Sequence, residues 1–122
     1  MSIPFRFQPD PFIVPPCSES LEWLYEDEQC LVVHKPAGLL SVPGRLSENR
    51  DSLASRVQGK FPDARIVHRL DLETSGLMVL ALGKEATSAF GKLFEQRQIE
   101  KRYCAVVSGL VEAEQGFVEA PL

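Results

Sequence analysis

The hydrophobic residues of the chain occur in short runs bounded by turn-forming residues, a pattern that favours β-strands. These runs lie at 21–25, 30–33, 66–67, 77–82, 103–107 and 116–120. The first two flank an acidic Glu-Asp-Glu turn and predict an antiparallel hairpin. The run at 77–82 is apolar throughout, which predicts a strand buried on both faces. The run at 116–120 predicts the opening of a last strand.

Two segments carry the spacing of an α-helix instead. Asp51 or Ser52 can cap a short helix in which Leu53 and Val57 share one face. A longer helix is predicted over 84–97, because apolar residues recur there at intervals of three and four. Those residues are Ala86, Phe90, Leu93 and Phe94.

The order of these elements indicates the fold class. Strands and short helices in one unit predict an α+β fold with a mixed, largely antiparallel sheet. The first sixteen residues contain five of the nine prolines, which predicts an extended arm over 1–19 and leaves 20–122 as the folded domain. Because the last predicted strand starts shortly before the chain ends, we expect the amino-terminal part of a longer domain.

Composition narrows the class of protein and its compartment. With 44% hydrophobic and 25% charged residues, the 122-residue chain has the composition of one globular domain. No apolar run approaches the roughly 20 residues of a transmembrane helix, and the start lacks the layout of a signal peptide. Three cysteines without a C-x-x-C pair, and only two histidines, predict neither a disulfide framework nor a metal centre. We therefore expect a cytoplasmic protein.

Charge is unevenly distributed along the chain. The net charge of -4 disfavours a nucleic-acid partner, because binding to phosphates needs clustered Lys and Arg. Residues 60–104, however, contain eight basic and six acidic side chains, so this part is basic. Its positive groups include Arg69, Lys92, Arg97, Lys101 and Arg102. A solvated mixed-charge surface explains the same distribution, so charge alone leaves an RNA partner open.

The stretch 68–76 concentrates side chains that can take part in chemistry. Asp71 follows Arg69 by two residues and His68 by three, in a predicted loop between two strands. The small polar residues that come next are Thr74, Ser75 and Gly76. Their hydroxyl and backbone N–H groups could hold a carboxylate, whereas a lone loop aspartate usually caps its own turn. The surrounding guanidinium, imidazole and hydroxyl groups make Asp71 the candidate catalytic acid.

Three known catalytic patterns fit this stretch poorly. A protein kinase would have the aspartate directly after His-Arg and a glycine-rich loop earlier, and the chain has neither. A glycosidase needs a second carboxylate across a cleft, and Glu73, two residues from Asp71, is a weak candidate. An aspartic protease would have Thr or Ser and then Gly directly after the aspartate, where this chain has Leu72 and Glu73.

Three segments together resemble the motifs of one enzyme family. HRLDLETSGLMVLA, at 68–81, resembles the signature of the RluA family of pseudouridine synthases. VVHKPAGLLSVPGR, at 32–45, resembles the family's first motif, and EKRYCAVVSG, at 100–109, resembles its K-x-Y motif. The SVPGR sequence is most similar to that of the family's short branch. This branch lacks an amino-terminal S4 RNA-binding domain and modifies ribosomal RNA and a tRNA stem-loop. The resemblance covers 20–122, the first part of the family's catalytic domain.

The resemblance implies an enzyme that isomerises uridine in RNA. Such an enzyme detaches uracil from its ribose, rotates it and rejoins it through carbon 5, without a metal or cofactor. Asp71 would be the essential catalytic residue, acting either as a nucleophile or as the base that removes a ribose proton. Tyr103 would be the second catalytic residue, lying against the extracted uracil and taking part in the final removal of the proton from carbon 5. A half-buried strand tyrosine is the structural alternative.

The resemblance also implies RNA contacts and supporting residues. Arg69 would enter the RNA as the target nucleotide swings out, and an ion pair with Asp71 is the alternative. Lys35 would meet phosphate from a loop beside the active site, and an ordinary turn at the end of a strand is the alternative. Arg102 would meet phosphate, while Lys101 would contact phosphate or brace the pocket. The residues that would support the site are His68, Thr74, Ser75 and Gly76. The residues expected in the core are Leu70, Leu77 and Val79.

Two other functions compete with catalysis on RNA. The family's later motifs have no counterpart in these 122 residues, so a noncatalytic RNA-binding fragment is one alternative. The acidic net charge favours a second alternative, an Asp-dependent transferase that acts on a small molecule. Absent strands would leave an apolar sheet edge exposed, which predicts self-association or exchange of elements between copies.

Overall fold

The computed structural model describes residues 12–118, which form the predicted α+β fold. The elements are β1 (Glu22–Glu26), β2 (Cys30–Lys35), a 3-10 turn (Ser47–Asn49), α1 (Leu53–Gln58), β3 (Ala64–Ile66), β4 (Gly76–Leu82) and α2 (Lys84–Glu95). The strands form one sheet in the order β1-β2-β4-β3, and every neighbouring pair is antiparallel. Within residues 12–118, the only parallel pairing is an isolated bridge between Leu40 and Ser52.

The predicted hairpin is confirmed, and Asp27 stabilises its turn. The Asp27 carboxylate accepts hydrogen bonds from the Tyr25 hydroxyl at 2.7 Å and from the backbone N–H groups of Gln29 and Cys30 at 2.7 and 2.8 Å. These hydrogen bonds, that from Tyr25 foremost, hold the pKa of the Asp27 carboxyl below its usual range because they favour the charged form. One carboxylate with three hydrogen-bond donors therefore stabilises the turn between β1 and β2.

One face of the sheet carries the hydrophobic core. Leu31 and Val33 of β2 lie opposite Leu80 and Met78 of β4, and all four side chains are fully buried. The remaining core residues are Leu39, Leu53, Val57, Ala64 and Leu70. Each large apolar side chain removed from water contributes about 1.5–3 kcal/mol. The pairing of β2 with β4 is therefore the centre of the fold.

The prediction that the strand at 77–82 is buried on both faces is wrong. Side chains alternate across a strand, so Leu77 and Val79 lie on the face opposite Met78 and Leu80. Leu77 is 59% exposed and Val79 is half-buried, because α2 covers only part of this second face. Leu77 is thus not a core residue, whereas Leu70 is buried as expected.

Both predicted helices form. The Ser52 hydroxyl accepts a hydrogen bond from the backbone of Ser55 at 3.0 Å, and the Ser55 hydroxyl accepts one from the backbone of Ser52 at 2.9 Å. This reciprocal capping box begins α1. The second helix ends at Glu95 rather than at 97, because Arg97 adopts a left-handed backbone with φ 55°. No helix of the described residues is both long enough and apolar enough to cross a membrane.

The described part of the predicted arm, residues 12–20, has no helix or strand. The side-chain amide of Asn49 holds it by accepting from the backbone of Val14 and donating to the backbone of Phe12, both at 2.8 Å. The Arg56 guanidinium donates to the carbonyls of Cys17 and Glu19, at 2.7 and 2.8 Å. The arm therefore lies along the domain, and the prediction for residues 1–11 falls outside the described residues.

The strands predicted at 103–107 and 116–120 are not observed. Residues 101–107 and 116–118 have no regular secondary structure and are exposed, and 119–120 lie outside the described residues. A strand needs a neighbour that takes its backbone hydrogen bonds, and neither segment meets one within residues 12–118. A strand-like composition alone was therefore insufficient to predict a strand in these two segments.

Candidate active site

Asp71 lies in the loop that joins β3 to β4 and is exposed. Its backbone carbonyl accepts a hydrogen bond from the N–H of Thr74 at 3.1 Å, which closes a tight turn. Its carboxylate accepts no hydrogen bond from any described residue, so the hydroxyls of Thr74 and Ser75 do not hold it. The side chain is therefore neither sealed in the core nor used as a helix cap.

Lys35 is placed where it cannot meet RNA, contrary to the prediction. Its side chain is 0% exposed, and its Nζ donates to the carbonyls of Leu39, Leu72 and Pro36 at 2.6, 3.2 and 3.0 Å. Residues at every second position of β2 point into the core, and Lys35 falls on that face. Burial lowers the pKa of Lys35, and the nearby carboxylates of Glu73 and Asp71 oppose this effect.

The contacts of Lys35 tie two loops together. The N–H of Gly38 also donates to the carbonyl of Leu72, at 2.8 Å. One donor from the end of β2 and one from the loop after it therefore hold the residue that directly follows Asp71. Gly38 has φ +86°, a conformation that glycine adopts without strain, and this turn brings its N–H group to Leu72.

A groove of about 750 Å³ lies beside the Asp71 loop. Its floor is the second face of the sheet, formed by Val32, Leu77 and Val79. The other residues that line it are His68, Leu70, Glu73, Thr74, Ser75, Gly76, Phe94, Ile99, Glu100, Lys101, Arg102, Tyr103 and Cys104. Asp71 itself does not line the groove; it lies in the chain between the lining residues Leu70 and Glu73.

The groove brings together most of the side chains that the sequence singled out. Tyr103 is 63% exposed and lines it together with the exposed cations Lys101 and Arg102. Arg69 is exposed outside the groove, and it forms no ion pair with Asp71. The only ion pair in the described residues joins Arg56 to Asp51 elsewhere, at 2.7 Å. In residues 12–118, no three potential ligand side chains converge on a metal position.

His68 links the Asp71 loop to the sheet and to α2. Its Nε2 accepts a hydrogen bond from the backbone of Val79 at 3.0 Å, at the point where β3 has left β4. Its ring stacks on Phe94, with centroids 4.5 Å apart, and Lys101 Nζ lies 5.5 Å from the centroid of the same Phe94 ring. Burial lowers the pKa of the His68 imidazole, and the Lys101 charge lowers it further.

The free energy of unfolding is expected to fall as the pH drops below about 6.5, the ordinary pKa of histidine. Because the pKa of His68 is lower in the folded chain, the unfolded chain binds a proton first, and stability is lost until the folded pKa is reached. One proton contributes at most about 1.4 kcal/mol per pH unit. His68→Gln keeps an acceptor for Val79 but does not titrate, so this slope should disappear.

Urea denaturation of both proteins between about pH 7.5 and pH 5 measures the effect. This range lies above the pH at which the carboxyl groups of Asp27 and Asp51, with pKa values held low by hydrogen bonds, take up protons. Equal slopes for the wild-type chain and His68→Gln would contradict the prediction.

Two residues that contribute to the candidate site were not predicted from the sequence. Ser41 is buried and hydrogen-bonded to Leu70, although it was noted only as part of a motif. Phe94 was assigned to helix packing, yet it stacks on His68 in the wall of the groove. The available signals were a small hydroxyl residue inside an otherwise apolar and glycine-containing loop, and an aromatic residue near the end of the amphipathic helix.

Comparison with known proteins finds close sequence relatives. The family model for RNA pseudouridylate synthases matches residues 29–122. The chain is 52% identical over 108 residues to the dual-specificity RNA pseudouridine synthase RluA of Vibrio parahaemolyticus. It is 46% identical over 108 residues to the protein of the same name from Escherichia coli K12. Each alignment covers 88% of this chain but only 43% and 49% of those relatives, so the chain spans less than half their length.

A solved structure also resembles the fold. Human RNA pseudouridylate synthase domain containing 1 matches with a TM-score of 0.51 and 31% sequence identity. The match covers 68% of this chain and 31% of the human chain. The sheet and helices described above therefore correspond to one part of that longer human chain.

Proposed function

The chain belongs to the RNA pseudouridylate synthase family, and from this premise we propose that it contributes the site that isomerises uridine to pseudouridine in RNA. The observation that carries the proposal is the exposed Asp71 in a loop whose residues Leu70 and Glu73 line a groove that contains Tyr103. The pairing of the loop after β2 with the Asp71 loop supports it, because both segments belong to the motifs that resemble the family.

The proposed reaction moves one glycosidic bond without a change in composition. The N1–C1′ bond of uridine breaks, the uracil turns, and a C5–C1′ bond forms. The proton on C5 then leaves to water, and N1 gains a proton. Asp71 supplies either the nucleophile or the base for the first step, and an exposed carboxylate suits both. Tyr103 offers an exposed ring on which the uracil can stack.

The proposed substrate is structured RNA in the cytoplasm, a ribosomal RNA or a tRNA stem-loop. Two of the relatives are named dual-specificity RNA pseudouridine synthases, which supports more than one RNA for this chain. Arg69, Lys101 and Arg102 are exposed cations that can meet phosphates or replace a flipped base in the stack. Lys35 is excluded from this role by its burial.

The test is the release of tritium from RNA that carries uridine labelled at carbon 5. We expect the 122-residue chain to release one tritium for each pseudouridine that it forms. The same RNA should bind with an affinity that falls steeply with salt, because phosphate contacts release counterions. A chain that neither binds RNA nor releases tritium would contradict the proposal and favour a transferase that acts on a small molecule.

Binding of RNA without release of tritium is the second candidate function. The observation that favours it is the open second face of the sheet, where Leu77 is 59% exposed. The chain also spans less than half the length of its relatives, so groups that complete their sites can lie outside it.

We propose in addition that the exposed apolar surface leads copies of the chain to associate. Light scattering on the chain used in the RNA assays tests this association, and a strictly monomeric particle would contradict it.

A further inference from the structure

One buried hydroxyl makes both backbone hydrogen bonds of the residue before Asp71. Ser41 is 4% exposed, and its Oγ donates to the carbonyl of Leu70 at 2.6 Å. The same Oγ accepts a hydrogen bond from the N–H of Leu70 at 3.0 Å. A serine hydroxyl has one proton and two lone pairs, so Leu70 uses the proton and one of the lone pairs. The Met78 sulfur, 3.4 Å away, packs beside this pair.

The support behind Ser41 is a folded element. The carbonyls of Leu40 and Ser41 accept hydrogen bonds from Leu53 at 2.7 Å and from Ala54 at 3.1 Å. Those N–H groups open α1, where a helix has no acceptors of its own. The segment that holds Leu70 is therefore itself fixed to a helix whose Leu53 is buried in the core.

The backbone is held on both sides of Asp71, whereas the Asp71 side chain is not. Leu70 is bound by Ser41, and the carbonyl of Leu72 is bound by Gly38 and Lys35. The Asp71 side chain accepts no hydrogen bond within residues 12–118. The two held peptides next to Asp71 thus set the position of its backbone and the direction of its Cα–Cβ bond.

We propose that Ser41 is a positioning residue: by binding both backbone groups of Leu70, it fixes the backbone that carries Asp71, next to the groove-lining residue Leu70. The catalytic consequence rests on the proposed function, in which Asp71 acts on uridine. Ser41 does not touch the substrate in this account. Its effect passes through the backbone of Leu70 to the next residue.

Ser52 supplies a matched control for this proposal. It is also a buried serine with hydrogen-bonded backbone and side chain, but it serves the first turn of α1. Ser41→Ala and Ser52→Ala each delete one buried hydroxyl and leave polar groups unpaired, so both should lose stability to a similar degree. Only Ser41→Ala removes the contacts of Leu70.

The structural readout is NMR relaxation of the backbone amides around Asp71. We expect Ser41→Ala to lower the order parameters of residues 69–72 from about 0.85, the rigid value, to below about 0.6. The rate of amide hydrogen exchange at Leu70, corrected for the change in global stability, should rise at least about tenfold because the acceptor of its N–H group is gone. Ser52→Ala keeps the hydrogen bonds from Leu53 and Ala54 to Leu40 and Ser41, so it should change both measurements much less than Ser41→Ala does. An ordered loop in a folded Ser41→Ala chain would overturn the proposal.

The kinetic readout is the split between kcat and KM for tritium release. We expect Ser41→Ala to lower kcat by about 10–100-fold with KM nearly unchanged, because a misplaced reacting group loses that much rate. An equal loss of kcat in Ser52→Ala would show that Ser41 affects kcat only through the stability of the fold, and it would overturn the proposal. If the wild-type chain releases no tritium, the proposed function fails for this chain, and the relaxation data still decide the role of Ser41.

A conservative variant covers the case in which Ser41→Ala does not fold. Ser41→Thr keeps a donor and an acceptor at the same carbon, so a folded Ser41→Thr chain should retain the order of residues 69–72 and the Leu70 exchange rate. A folded threonine variant with a mobile loop would overturn the proposal, because it would separate the hydroxyl from the order of the loop.

Discussion

Replacing Asp71 with asparagine is expected to reduce isomerisation of uridine by at least about a thousandfold, to below detection in most assays. Asparagine has nearly the same shape, but its amide is neither a nucleophile nor a base at neutral pH. The Asp71 carboxylate is exposed and accepts no hydrogen bond within residues 12–118, so Asp71→Asn should leave the free energy of unfolding within about 0.5 kcal/mol of the wild-type value. Tritium release and urea denaturation together measure both effects.

Two other carboxylates serve as controls for Asp71. Asp63 is an exposed aspartate at the opposite end of β3 from the Asp71 loop, so Asp63→Asn should retain full activity. Glu73 lines the groove two residues after Asp71, so Glu73→Gln tests whether the neighbouring acid carries the reaction instead. A thousandfold loss in Glu73→Gln, together with an active Asp71→Asn, would show that Glu73 and not Asp71 carries out the reaction. This result would contradict our proposal.

Local chemistry made several elements predictable from the sequence. An N-cap serine, a run of apolar residues at helical spacing and a charged two-strand turn each act within a few residues of chain. Ser52 begins α1, and Asp27 closes the hairpin between β1 and β2, because their partners are sequence neighbours. The irregular loop around Asp71 was predictable for the same reason, since its polar residues disfavour a strand.

Tertiary context decided the features that the sequence could not fix. The segment 103–107 has strand-like residues, but it meets no partner strand in the described part of the chain. Leu77 looks like a core residue, yet it lies on the face that α2 leaves partly open. Whether an apolar strand residue is buried depends on what covers each face of the sheet, and no local pattern contains that information.

Lys35 shows the same limit for a candidate site residue. The family resemblance implied that Lys35 meets phosphate, and lysine is usually exposed. Its place in the alternation of β2 puts it on the core face with Leu31 and Val33, and three carbonyls then receive its ammonium group. The alternation was visible in the sequence, whereas the carbonyl of Leu72, 37 residues away, was not.

Replacing Lys35 with methionine is expected to lower the free energy of unfolding by about 2–4 kcal/mol. Methionine has a similar length and is apolar, so the variant keeps the packing of the stem and removes only the charged head. The carbonyls of Leu39 and Pro36 then lose the Nζ donor inside the fold, and each unmet acceptor costs about 1–3 kcal/mol. Relief from burying the charge offsets part of this loss.

The matched control is Lys84→Met, which removes an exposed lysine at the start of α2 and should change the free energy of unfolding by less than about 0.5 kcal/mol. Urea denaturation of both variants measures the difference. The carbonyl of Leu72 keeps its hydrogen bond from Gly38 in Lys35→Met, so the Asp71 loop should remain more ordered than in Ser41→Ala. A Lys35→Met chain as stable as the wild type would mean that the three carbonyls only offset the cost of burying the charge, and that the lysine does not stabilise the junction of the two loops.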